Sequence, residues 1–126
     1  MIFDTDVLIW FLRNNSNAVK TVSDNGPFFI SAVTKMELIQ GVKNKQELRR
    51  LINMLEDFCE DVYQINEAIS EKALSLVEEF SLSHSMEMAD ALIAATCLCY
   101  NKPLHTANTR HFSYIPDLEI IPFRPE

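Results

Sequence analysis

Two apolar runs open the chain, Met-Ile-Phe and Val-Leu-Ile-Trp-Phe-Leu, with Asp4-Thr5-Asp6 between them. A short buried strand at Ile2–Phe3 followed by a helix over residues 7–13 accounts for this pattern. Asp4 then ends the strand, and Asp6 stands at the helix N-cap, where a carboxylate accepts from free N–H groups of the first turn. Asp24-Asn25-Gly26-Pro27 has the composition of a turn. Phe28-Phe29-Ile30 after it predicts a second buried strand that runs out through Ser31-Ala32-Val33, and residues 34–41 predict a short helix closing near Gly41. Leu48, Leu51, Ile52, Leu55 and Phe58 recur at helical spacing, so residues 45–59 read as an amphipathic helix. A third strand is expected at 62–65, and a helix at 68–81 with Ala73, Leu74, Val77 and Phe80 inward. Met88–Tyr100 reads as a helix whose Ala91, Ala94, Ala95 and Leu98 share one small-residue face. Strands follow at 103–106 and 118–123. Strands alternating with helices predict an α/β protein, a parallel sheet covered on both faces. Right-handed crossovers place its strand-to-helix turns on one edge, and ligands of open α/β sheets bind at the carboxyl edge.

That edge collects oxygen-bearing residues from distant parts of the chain. Asp4 ends the first strand. Glu37 and Asp90 are expected in the first turns of two helices, and Asn108 follows the strand at 103–106. Each has a purely structural reading. Asp6 suits an N-cap, and Thr34-Lys35-Met36-Glu37 is a capping-box pattern. Asp90 is favoured by the helix dipole, and Asn108 suits a turn. Brought together, they imply more, because crowded carboxylates repel and hold on to their protons. A hard divalent cation, Mg²⁺ or Mn²⁺, with oxygen ligands and water relieves this repulsion. Such an ion can lower the pKa of a bound water and stabilise charge on a phosphoryl oxygen.

A length of 126 residues suits a single domain spanning 1–126 with a sizeable core. No apolar run reaches the ~18 residues of a membrane span, and the apolar start lacks the basic flank and cleavage pattern of a signal peptide. Cys59, Cys97 and Cys99 are expected as reduced thiols of a cytoplasmic protein. No zinc spacing is present, and His84, His105 and His111 are expected at the surface unless the site claims one. A formal charge of −7 by itself argues against a nucleic-acid partner. Much of that acid, however, lies in Glu56-Asp57-Phe58-Cys59-Glu60-Asp61, expected as a solvated helix end. Lys43, Lys45, Arg49 and Arg50 form a local basic patch. With a cation at the acidic edge, such a patch can still hold a phosphate chain.

Four motifs in order carry a family resemblance. They are an apolar strand into Asp4-Thr5-Asp6, Ser31-x-x-Thr34-x-x-Glu37-Leu38-x-x-Gly41, Ala89-Asp90-Ala91-Leu92-Ile93-Ala94-Ala95, and Thr106-x-Asn108-x-Arg110-x-Phe112. Over essentially the whole chain this resembles PIN-domain proteins, and specifically the VapC toxins of bacterial and archaeal toxin–antitoxin pairs. The resemblance implies a PIN-like three-layer α/β/α sandwich with a short, mainly parallel sheet. It implies a Mg²⁺- or Mn²⁺-dependent ribonuclease, and a homodimer that forms a hetero-oligomer with a cognate VapB-type antitoxin. Residue by residue, Asp4, Glu37 and Asp90 match the family's catalytic and metal-holding acids, and Thr106 matches a threonine beside them. Asn108 stands where the family often has a fourth acid. Asp6 stands where it usually has a small polar residue, and adds negative charge.

The chemistry implied is in-line hydrolysis of an RNA phosphodiester, leaving a 5′-phosphate and a 3′-hydroxyl. The cation lies on Asp4 and Asp90, and Glu37 completes its shell through water or orients the nucleophile. Lys35, Lys43 and Lys45 are candidate contacts to the RNA backbone. Trp10, Phe11 and Leu12, with Leu51 and Leu55 across from them, are expected to form a groove for an amphipathic antitoxin helix. Two alternatives stand beside this reading. One is a degenerate PIN domain that binds RNA or protein without cutting. The other is a haloacid-dehalogenase-type phosphatase, which also starts with a strand and Asp-x-Asp but needs partners that Val7 and the isolated Asp90 do not supply.

Overall fold

The computed structural model describes residues 1–126. Five parallel strands, β1 (Ile2–Phe3), β2 (Phe28–Ser31), β3 (Cys59–Tyr63), β4 (Leu104–Thr106) and β5 (Ile120–Pro122), lie in the order β3-β2-β1-β4-β5. Between and around them run α1 (Thr5–Leu12), α2 (Ser16–Asp24), α3 (Ala32–Gly41), α4 (Lys45–Phe58), α5 (Glu67–His84) and α6 (Met88–Tyr100). The expected α/β sandwich is present, with β1 at its centre. Ile2 pairs with Phe29 of β2 and Leu104 of β4, and Phe3 pairs with His105.

Successive strand residues face opposite sides of a sheet, so the two residues of β1 seed two separate cores. Ile2 packs with Ile69, Ala73, Leu76 and Phe80 of α5 and with Ala91, Ala94 and Ala95 of α6. The small-residue face expected on α6 is buried there, which lets its backbone approach α5 and the sheet closely. Phe3 joins Val7 and Leu8 of α1, Ala18 and Val22 of α2, and Leu51, Met54 and Leu55 of α4. Its ring lies 4.8 Å from that of Phe28 and 5.1 Å from that of His105. His105, expected at the surface, is buried, and burial lowers its pKa.

Several boundaries differ from the sequence pattern, each for a physical reason. Asp4 rather than Asp6 caps α1, because the helix begins one residue after the strand ends. Ser31 caps α3, its hydroxyl accepting from Val33 N–H at 3.1 Å. Thr34 therefore lies inside the helix, no capping box forms, and Glu37 falls in the second turn. α2 is nearly all polar outside Ala18 and Val22, its two buried residues, so its periodicity is too thin to see; Asn15 caps it. Glu60 and Asp61 sit in β3, not at a helix end. An edge strand tolerates exposed charge, and there it blunts pairing with other chains. Leu74 faces solvent at 63 % exposure, while Ile69 and Leu76 take the inward places. No helix is long and apolar enough to cross a membrane.

Leu51 and Leu74 give the sharpest contrast. Leu51→Ala, at a site 1 % exposed, is expected to cost roughly 2–5 kcal/mol. Leu74→Ala is expected to stay within about 0.5 kcal/mol of the parent. Urea unfolding of the three proteins measures both.

Candidate active site

The site begins with Asp4, the joint between β1 and α1. Its backbone N–H donates to the carbonyl of His105 at 2.8 Å, which extends the β1–β4 pairing. Its extended backbone (φ −69°, ψ 159°) turns the carboxylate back over the first helical turn, where Oδ1 accepts from Thr5 N–H at 2.8 Å. Oδ2 accepts from Thr106 Oγ1, also at 2.8 Å. Both Asp4 and Thr106 are buried.

Thr106 ends β4, and its hydroxyl is the centre of a second set of bonds. Oγ1 accepts from Asn108 N–H at 3.0 Å. Asp6 Oδ2 lies 3.4 Å from the same hydroxyl and accepts from Ala107 N–H at 3.0 Å. A hydroxyl has one proton to give, and the shorter bond assigns it to Asp4. Two carboxylates from the start of α1 thus grip the exit of β4. Asp6 Oδ1 is buried with no partner.

Glu37 and Asp90 flank this hub. Glu37 Oε1 accepts from Thr5 Oγ1 at 2.7 Å, and Thr5 Oγ1 also lies 3.1 Å from Thr34 Oγ1. Asp90, in the first turn of α6, faces His111, whose Nδ1 is 3.2 Å from Asp90 Oδ2. His111 belongs to a short 3₁₀ turn, Thr109–His111, that follows β4. Asn108 departs from expectation: its side chain is exposed and makes no hydrogen bond, and only its backbone N–H enters the site. Thr5 had no assigned role in the sequence pattern, and His111, expected at the surface unless the site claimed it, is exposed and in contact with Asp90. The only hint was position, since Thr5 sits between two acids and His111 within the Thr106–Phe112 motif.

Electrostatics couple these groups. Burial, then the neighbouring Asp6, push Asp4 up to about 7; bonds from Thr106 and Thr5 pull the other way, and Asp90 adds to the rise. Burial also raises Asp6, against the Ala107 N–H. Burial raises Asp90, His111 opposes it, and Glu87 and Glu37 add repulsion. No three acidic, histidine or cysteine side chains stand close enough to form a ready cage for an ion. The donor set nonetheless fits a hard divalent cation. It is made of oxygens, and it carries charge that burial opposes. Mg²⁺ takes one or two carboxylates and completes its shell with water, and Asp4 and Asp90 would hold it.

The raised Asp4 pKa has a consequence for stability. Between the ordinary value of 3.8 and about 7 the folded protein binds more protons than the unfolded chain, so stability falls as pH rises. The Asp4 contribution in chelator is expected to be largest near pH 4, to be lost as pH rises through about 7, and to level off above, while buried His105 contributes with the opposite sign as pH falls. Asp4→Asn should flatten much of that slope. Denaturant midpoints across the range check the sign.

Comparison with known proteins follows the same lines. Residues 1–118 match the family model of the PIN domain. Ribonuclease VapC of Rickettsia bellii is 28 % identical, over 96 % of this chain and 94 % of its own. Ribonuclease VapC1 of Methanocaldococcus jannaschii is 28 % identical, over 93 % of this chain and 82 % of its own. A toxin–antitoxin complex from Klebsiella pneumoniae contains a chain that superposes with a TM-score of 0.80 at 28 % identity, covering 99 % of this chain and 97 % of that one. VapBC-1 from nontypeable Haemophilus influenzae gives a TM-score of 0.77 at 26 % identity, covering 97 % and 98 %. A family match across this span displaces the phosphatase alternative. With its parallel sheet and its acids gathered at the carboxyl edge, this chain belongs to the PIN-domain family.

Proposed function

We propose that this protein is a VapC-type toxin: a ribonuclease that hydrolyses RNA phosphodiesters with Mg²⁺ or Mn²⁺ and is neutralised by a cognate VapB-type antitoxin. The observation that carries the reading is the buried Asp4 carboxylate at the end of the central strand, with Asp6, Asp90 and Glu37 around it. Burial opposes the charge of Asp4, Asp6 and Asp90 at one sheet edge, and a cation there would use it. The names of the relatives, ribonucleases and chains of VapBC complexes, support the same conclusion.

When bound, the cation supplies Lewis-acid chemistry, polarising a phosphoryl oxygen and acidifying a water. The rest falls to the chain itself. Thr5 N–H and the Thr106 hydroxyl lock both oxygens of Asp4, so its orientation is set before any substrate arrives. Thr5 Oγ1 orients Glu37, the candidate for positioning the attacking water. His111 meets Asp90 from the solvent side, and the neighbouring Arg110 adds a cationic donor where an RNA phosphate would enter. Lys43 and Arg50 lie near Glu37 and extend that path, despite the net charge of −7.

The antitoxin's seat is a groove of about 370 Å³ between α1, α3 and α4, lined by Ile9, Leu12, Leu38, Val42 and Leu51. It keeps Leu12 and Leu51 of the expected set and leaves out Trp10, Phe11 and Leu55. Phe11 packs edge-on against Phe58 at 5.7 Å, and Leu55 is buried in the core. Arg13, Lys43 and Arg50 rim the groove together with Glu47, and Glu37 borders it. An amphipathic helix with acidic flanks fits this surface. Since Glu37 belongs to both groove and site, a seated helix abuts the catalytic edge, where a basic side chain can meet the acids. The active unit is proposed to be a homodimer, which the antitoxin converts into a hetero-oligomer.

RNA cleavage should require Mg²⁺ or Mn²⁺ and stop in chelator. Asp4→Asn and Asp90→Asn should each lower the rate by about a hundredfold or more. Cleavage that survives chelator, or an Asp90→Asn protein that cuts at the parent rate, overturns the metal mechanism. For the partner, pull-down from the native host at endogenous expression should recover a small protein with a basic segment. Ile9→Glu in the groove should lose that partner and still cut RNA. A clean monomer without such a partner overturns the toxin assignment.

A further inference from the structure

A second cavity, about 250 Å³ and mostly polar, lies between α2 and the exit of β5. His105 of β4 forms its floor. One wall is the face of α2 that carries Asn17, Lys20 and Asp24, and the other is the chain leaving β5, Pro122 to Arg124. We propose that this cavity is a binding site for a phosphate group, with Lys20 and Arg124 as its cationic partners and His105 as a neutral one. The proposal stands apart from the nuclease reading, and none of these residues belongs to the acidic edge.

His105 is the residue that calls for a ligand. It is only 5 % exposed, yet it lines the cavity, and its Nδ1 is buried without a hydrogen-bond partner. An apolar side chain packed on Phe3 would fill the same place and leave no polar atom unpaired. Burial, with the N-terminal amine adding to it, lowers the His105 pKa and keeps the ring neutral near pH 7. A neutral imidazole has one N–H to give and one acceptor. With Nδ1 unpartnered, no bond at that atom fixes which nitrogen carries the proton. The ring is therefore free to present an N–H to an oxygen that enters the cavity.

The walls supply charge and rigidity. The one ion pair of the protein joins His111 and Asp90, so Lys20 and Arg124 line the cavity with no carboxylate partner. Asp24 stands one turn beyond Lys20 and opposes an anion, but two cations outweigh it. Asn17 Nδ2 donates to the carbonyls of Arg124 and Glu126 at 3.1 and 2.8 Å, and Asn15 Nδ2 donates to that of Pro125 at 2.9 Å. Phe123 N–H donates to the Thr106 carbonyl at 2.9 Å, and the Phe123 side chain is buried. The backbone around Arg124 is thus fastened to both α2 and β4 before any ligand arrives. A metal ion would meet two positive charges here, and an uncharged ligand would leave them unused. A phosphate, with its charge and several acceptor oxygens, uses a lysine, an arginine and a neutral N–H together. A free nucleotide or an RNA strand can bring that group.

The test titrates inorganic phosphate, adenosine 5′-monophosphate and a short single-stranded RNA, each in chelator at constant ionic strength. The ring-nitrogen NMR signals of the three histidines are the readout. Inorganic phosphate and at least one of the other probes should shift His105 and leave His84 unmoved. Lys20→Ala and Arg124→Ala, both at exposed positions, should each weaken binding by about fivefold or more. Lys20→Arg should bind as the parent does, and Asp24→Asn at least as tightly. A His105 shift on RNA that Lys20→Ala weakens assigns the site to a nucleic-acid strand; a shift with the monophosphate and inorganic phosphate alone assigns it to a small ligand. Either result supports the site. The proposal falls if no probe shifts His105 at millimolar concentration, or if the shifts persist undiminished in both alanine variants. Because cleavage plays no part in this readout, a protein that fails to cut RNA leaves the phosphate site standing, and an empty cavity leaves the ribonuclease reading standing.

Discussion

Asp4 is held three ways at once, through its N–H to the His105 carbonyl, Oδ1 to Thr5 and Oδ2 to Thr106, each at 2.8 Å. These bonds join the central strand, the first helix and the exit of β4 at a single buried residue. With only Ile2 and Phe3 assigned to β1, the centre of the sheet has little ladder of its own, and the bonds of Asp4 continue it by one residue. The same bonds orient the carboxylate. Fold and site therefore share one set of contacts, and a change that frees the carboxylate also loosens the middle of the sheet.

The electrostatics oppose the packing. Burying a carboxylate is unfavourable, and a second one next to it makes it more so. Hydrogen bonds from Thr5, Thr106 and Ala107 recover part of this but leave Asp4 raised to about 7. Repulsion thus persists at the edge of the sheet, and a cation held there, as proposed, would relieve it. Functional sites are where such local conflict persists, since the surrounding cores are large enough to hold it in place.

Those cores do more than stabilise. The Ile2 side packs α5 and α6 tightly through alanines and so presents Asp90 at the head of α6. On the Phe3 side, α1, α3 and α4 leave an apolar groove with a basic rim. Glu37 borders that groove and is also tied to Thr5 beside Asp4. One face of the sheet therefore carries Asp90, the other carries the groove, and α3 links the two through Glu37.

Much of this was legible before any coordinates. Apolar rhythm revealed the alternation of strands and helices, and with it the places of Asp4 at a strand end and Asp90 at a helix start; Glu37, expected in a first turn, lies in the second. Burial is encoded residue by residue along an element, so periodicity reports it directly. Periodicity was too weak for α2, with two buried residues, and could not separate the end of α4 from the start of β3. It also could not say which of Asp4 and Asp6 caps α1, that Thr34 and Glu37 form no capping box, that Asn108 faces outward, or that His111 folds back to Asp90. Each of these depends on where the end of one element meets a neighbour far away in sequence. The direction of a side chain at such a joint is settled by which donor or acceptor the neighbouring strand or helix brings within about 3 Å, and only the assembled sheet brings them there.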